Sequence, residues 1–122
     1  MAFNIMTMSR VAAPVTRAER RRILELDHYC CRYCGLDGRA SFENALVLSV
    51  DSVKPRAHKG KKDPSNLVAC CRPCNMIKGT RAYKNFEGAK KHVLAYREEL
   101  RAAWEGKFIH YAQPSEIAEQ EP

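Results

Sequence analysis

The chain has 122 residues, which is room for one domain with a modest core and too little for two independent ones. Lysine and arginine number 21 against 14 acidic residues, a net charge of +7 with a pI near 9.3, the balance expected of a protein whose partner is polyanionic or whose surface simply needs solubility. An apolar share of 45% excludes a disordered chain, no apolar run reaches the roughly 18 residues of a membrane span, and the first residues lack the pattern of a secretion signal, so the expected compartment is the cytoplasm, with no membrane partner.

Residues 1–16 are mostly small and apolar without period and are expected to form a flexible arm. Thr16-Arg17-Ala18-Glu19 fits a capping box, in which the hydroxyl and the carboxylate satisfy free amides at a helix start. Ile23, Leu24 and Leu26 extend this to a predicted helix over 17–27. Gly35-Leu36-Asp37-Gly38 is turn chemistry, and the β-favouring run from Ala45 to Asp51 predicts the first strand of a hairpin. Lys54 to Pro64 carries Pro55, Gly60 and Pro64 among five basic residues, which predicts an irregular loop returning to a second strand at 67–70. A helix should begin around 72–74 and stop at Gly79, whose missing Cβ suits a helix end. Phe86, Ala89, Val93, Leu94, Tyr96, Leu100 and Trp104 mostly keep helical spacing and predict a helix that covers the hairpin. Residues 106–122 hold one lysine and three glutamates and are expected to be a flexible acidic tail. The organisation expected is therefore an arm over 1–16, a domain over 17–83, a packed helix over 84–105 and a tail over 106–122.

Charge is concentrated rather than spread. From Lys54 to Lys91 there are eleven basic residues against Asp63 and Glu87, a local charge of +9. Such a run is often only a solvated face; here it also contains the motifs that carry chemistry.

Cys31-Arg32-Tyr33-Cys34 and Cys71-Arg72-Pro73-Cys74 are two C-x-x-C knuckles separated by 36 residues, the pair spacing at which a tight turn brings both sulfurs to one tetrahedral ion. Four thiolates in a reducing compartment point to zinc in a closed, structural site, which would stabilise a domain with a small apolar core. A redox dithiol would need only one pair, and disulfides are disfavoured by the lack of a signal. Cys30 and Cys70 either replace their neighbours as ligands at C-x-x-x-C spacing or are buried thiols.

Three further segments follow in order: Val50-Asp51-Ser52-Val53-Lys54-Pro55-Arg56, Asp63-Pro64-Ser65-Asn66-Leu67-Val68, and Cys71-x-x-Cys74-Asn75-x-x-Lys78-Gly79. Over roughly residues 18–83 the chain resembles the HNH endonuclease family, whose ββα-metal fold places a histidine after an aspartate on the first strand, an asparagine in the loop, and a histidine or asparagine opening the helix. The intervals of 14 residues from 52 to 66 and 9 from 66 to 75 match that pattern. The resemblance implies a small α+β domain in which Asp51 and Asn75 hold one catalytic divalent ion, magnesium or manganese, through oxygen ligands. Asn66 would orient the catalytic group or brace the loop. The implied reaction is hydrolysis of DNA phosphodiester bonds, with the ion stabilising charge on the phosphate and the departing 3′ oxygen while a base activates water. Lys54, Arg56, Lys59, Lys61, Lys62, Lys78 and Arg81 would contact backbone phosphates, most simply of double-stranded DNA, without reading sequence. Cutting both strands would call for a homodimer, a larger nuclease complex or successive nicks.

Ser52 departs from the family pattern, because it stands where the family carries its general base. A serine hydroxyl cannot hold an abstracted proton as imidazole does, and losing a positioned base typically costs about 10²–10⁴ in rate. Either the chain is a degenerate nuclease that still binds DNA, or Ser52 positions water on an activating metal, or His58 supplies an imidazole from the loop. The competing reading is a non-catalytic zinc module that binds nucleic acid; a protein-interaction zinc module would not need the +9 window. Blander readings apply throughout: Asp51 as a turn cap, Asn66 as turn chemistry, Asn75 as a first-turn helix residue, His28, His92 and His110 as solvated or packed, and Tyr33, Tyr83, Tyr96 and Trp104 as core or rim.

Overall fold

The computed structural model describes residues 14–55, 60–61 and 63–111. Most of the expected N-terminal arm, the tail beyond residue 111, and Arg56, His58, Lys59 and Lys62 lie outside the described residues. The elements in chain order are α1 (Arg17–Leu26), α2 (Phe42–Val47), β1 (Leu48–Ser52), β2 (Leu67–Cys71), α3 (Arg72–Lys78) and α4 (Phe86–Phe108).

Helix α1 opens with the expected capping box: Thr16 Oγ1 accepts from the Glu19 amide at 3.2 Å, and Glu19 Oε1 accepts from the Thr16 amide at 3.0 Å. It ends at Asp27, whose side chain ties the helix to the sheet. Asp27 Oδ2 accepts from the Ala69 amide of β2 at 2.7 Å, and Oδ1 pairs with Arg32 at 3.3 Å.

The β-favouring run from Ala45 to Asp51 is divided. Its first part is the end of α2, because Ser41 caps the N-terminus, its Oγ accepting from the Asn44 amide at 3.0 Å. A capped turn outweighs the strand preference of Leu46 and Val47, so β1 begins only at Leu48. The hairpin then forms as expected, antiparallel, with Leu48 opposite Cys71 and Ser52 opposite Leu67. Pairing continues past the strand end, where the Val53 amide donates to the Asn66 carbonyl at 2.8 Å.

Strand β2 runs into α3 without a loop: Cys71 is both its last residue and the helix N-cap. Helix α3 stops at Gly79 (φ 63°), whose amide returns to the Asn75 carbonyl at 2.9 Å. The core joins Tyr33, Leu48, Val53, Val68 and Ala69 to the cysteines and to Ala89 and Val93 of α4. Helix α4 starts and ends later than the expected 84–105 and packs mainly on α3 rather than over the hairpin, adding Ala89 and Val93 to the core. Beyond Arg97, Leu100 and Trp104 are exposed, so the later part of the apolar spacing faces solvent.

Candidate functional site

The four knuckle cysteines meet. The first knuckle is closed by the Gly35 amide on the Cys31 carbonyl and the Cys31 amide on the Leu36 carbonyl, both at 2.9 Å, with Gly35 at φ 81°. The sulfurs of Cys31, Cys34, Cys71 and Cys74 lie within 4.8 Å of one another, and Cys34 and Cys71 are 3.6 Å apart. Zinc bound tetrahedrally at about 2.3 Å from each sulfur would set the sulfurs roughly 3.8 Å apart, so the quartet fits a structural zinc site. The close sulfur contacts divide the four thiols, lowering Cys31 and Cys34 and raising Cys71 and Cys74. Hydrogen bonds from Cys34, Cys70, Cys71 and Cys74 hold Cys31 far below the ordinary thiol range. At Cys34 the bond with Cys31 raises the thiol, while those with Cys71 and Cys74 outweigh it and bring it to about 6.

Cys30 and Cys70 stand outside this quartet. Cys70 is fully buried and its thiol donates to the Cys71 carbonyl at 3.3 Å; the half-buried Cys30 donates to the His28 carbonyl at 3.5 Å. The C-x-x-x-C alternative is therefore not the arrangement that forms.

A buried polar cluster forms around Asp51. Its Oδ2 accepts from the Tyr33 hydroxyl at 3.0 Å and lies 3.4 Å from Lys78 Nζ, which also donates to the Ser52 carbonyl at 3.0 Å. Burial pushes the Asp51 carboxyl above its ordinary value, with Lys78 and Tyr33 opposing the shift. Burial, followed by the Asp51 charge, drives the Tyr33 phenol upward, so its proton stays in place to donate. Lys78 is the correction to the expected set of phosphate contacts. Its side chain is 0% exposed, and its ammonium joins α3 to β1 instead of facing solvent.

Asn66 acts on the loop. Its Oδ1 accepts from the Lys54 amide at 2.8 Å, and its Nδ2 donates to the Lys54 carbonyl at 3.0 Å and the Lys61 carbonyl at 2.7 Å. One side chain thus clamps both ends of the basic loop, the bracing arrangement rather than a turn residue facing water. Gly60 lies where the loop crosses itself: an added Cβ would fall on the Lys54 carbonyl. Ser52 is half-buried at the end of β1, and Asn75 is half-buried in α3, one residue beyond Cys74. Lys54, Lys61 and Arg81 are exposed, and Arg81 Nη1 lies 2.9 Å from His92 Nε2. Arg56, His58, Lys59 and Lys62 are outside the described residues.

Residue patterns gave no role to three side chains that build this region: Tyr33, Asp27 and Arg97. Tyr33 was readable only as core or rim, although its position between two cysteines puts it beside the centre. Arg97 Nη1 lies 3.6 Å from Cys74 Sγ.

Comparison with curated proteins and with solved structures gave no match. The matched segment found by comparison with family models runs from the first cysteine pair through both strands to just past α3, narrower than the span of 18–83 read from motifs. Residues 31–81 match the family model of the HNH endonuclease, and the matched segment is built on two strands, a short helix and a four-cysteine centre, the arrangement consistent with a ββα-metal domain.

Proposed function

We propose that this domain is a metal-dependent endonuclease that hydrolyses DNA phosphodiester bonds, working in the cytoplasm on double-stranded DNA as a homodimer or within a larger nuclease complex. The observation that carries the reading is the polar joint at Asp51. A carboxylate on β1 is bound through Lys78 to α3, the helix that bears Asn75, so the two residues assigned to the catalytic ion sit on elements locked together. A magnesium or manganese ion on Asp51 and Asn75 would supply charge stabilisation at the scissile phosphate. Asn66 holds the loop in shape, and exposed Lys54, Lys61 and Arg81 neutralise flanking phosphates, joined by Arg56, Lys59 and Lys62. Ser52 orients water by hydrogen bonding without taking its proton, and His58 is the imidazole the loop could bring.

A second reading has its own support. Ser52 replaces the base, and Lys78 already neutralises Asp51, an arrangement that suits a module binding nucleic acid without cutting it. Nicking of supercoiled plasmid by the zinc-loaded chain, with and without magnesium or manganese, separates the two. Metal-dependent nicking that disappears in Asp51→Ala and Asn75→Ala supports the nuclease. Intact plasmid that shifts in a salt-sensitive binding assay replaces it with the binding module, and failure of Ser52→His to create nicking would strengthen that outcome.

A further inference from the structure

Helix α4 meets the domain along one face whose positions recur every four residues: Ala89 and Val93, both fully buried, then Arg97. At the third position the face changes character. Arg97 is half-buried and directs Nη1 to within 3.6 Å of Cys74 Sγ, a fully buried member of the cysteine quartet. The next cation along the helix, Arg101, pairs with Glu98 at 3.8 Å and is exposed. Four thiolates around one divalent ion carry a net charge of about −2, which is costly beside a small apolar core unless cationic donors offset it. An arginine N–H directed at a ligand sulfur is such a donor, and it keeps its charge at any working pH.

We propose that Arg97 is a positioning residue of the cysteine centre, holding Cys74 by an N–H···S bond so that ion binding and the docking of α4 reinforce each other. The long helix is then a ligand-shell element of the metal site. Linkage makes the effect reciprocal: whatever factor Arg97 contributes to ion affinity, the bound ion returns to the docked state of α4. The inference stands on the cysteine quartet alone and is independent of nuclease activity.

The test uses the full chain, comparing wild type, Arg97→Gln, Arg97→Lys and the control Arg101→Gln. Zinc affinity is read by competition with a chromophoric chelator, ligand geometry by the thiolate-to-metal bands of the cobalt form, and docking by hydrogen exchange of the α4 amides. Arg97→Gln should weaken zinc binding by about tenfold, within the range usual for partners of ligating side chains. It should keep the four-sulfur cobalt spectrum and raise exchange across 89–97 in the zinc-bound form. Arg97→Lys should retain part of the affinity, and Arg101→Gln should match wild type. Zinc affinity for Arg97→Gln within twofold of the Arg101→Gln control overturns the proposal, even if exchange in α4 rises, because the arginine would then only pack. If Arg97→Gln does not fold, Arg97→Lys decides: a loss of zinc affinity of more than twofold relative to Arg101→Gln, with the four-sulfur cobalt spectrum kept, supports the clamp, and affinity within twofold of that control overturns it.

Discussion

Replacing Lys78 by methionine keeps the length of its side chain and removes its charge, so Asp51 would lose one of the two partners that offset its burial. Breaking a buried pair from one side costs about 3–5 kcal/mol, and Lys78→Met should lower the urea midpoint of the zinc-loaded protein accordingly. The double variant Asp51→Asn, Lys78→Met should recover most of that loss, since neither group would then be charged and alone. Asp51 also has a pH signature. Its folded pKa is raised by burial, so the folded state binds the proton more tightly than the unfolded state. The resulting stability is present at low pH and falls as pH rises through the folded value. Urea titrations between pH 4 and 7 should therefore show this falling contribution in wild type and not in Asp51→Asn. Little of this was legible beforehand. Asp51 and Lys78 were recognisable as motif residues, but that both are buried against each other is decided by packing of α3 on the hairpin, which sequence spacing does not encode.

Elements were more readable where their signals are local. The capping box at Thr16, the knuckles and the stop at Gly79 involve residues within four positions of each other, and each forms as expected. The helix α2 was missed because its signal, Ser41 ahead of Asn44, is short and lies before a run that favours strand. Thr16→Ala should cost about 1 kcal/mol in thermal or urea unfolding, the usual value of an N-cap. The tie from Asp27 to the Ala69 amide joins α1 to β2 across 42 positions, beyond the reach of any local pattern. Asp27→Ala leaves that amide without its charged acceptor and should cost about 1–3 kcal/mol. Asn66→Ala removes three hydrogen bonds from the basic loop at once. Hydrogen exchange at Lys54 should rise, and DNA affinity should fall by a few fold without loss of the cysteine centre.

For the molecule as a whole, the cysteine quartet joins the first knuckle, the end of the hairpin and α3, so removing the ion should affect all of them together. Chelation at neutral pH should produce one cooperative loss of far-UV helical signal, reversed by zinc, because ion-binding free energy here is also folding free energy. The basic window predicts a second whole-molecule property. Affinity for duplex DNA should fall steeply between 50 and 200 mM salt, with a slope that lessens by about one for each phosphate-contacting lysine removed. Lys78 should not contribute to that slope, being buried, whereas Lys54 and Lys61 should.

An ion on the cysteine quartet would close the 36 residues between Cys34 and Cys71 into a ring, and the cost of closing a ring rises only slowly with its circumference. Doubling that interval would add about 0.6 kcal/mol, less than the loss of a single helix cap. The place to lengthen it is limited by the clamps rather than by entropy: Asn66 grips Lys54 and Lys61, and Gly60 crosses Lys54, so new residues belong between 55 and 60. The cysteine centre therefore provides a frame into which a longer basic loop can be inserted while both strands, the helix and the four sulfurs keep their places.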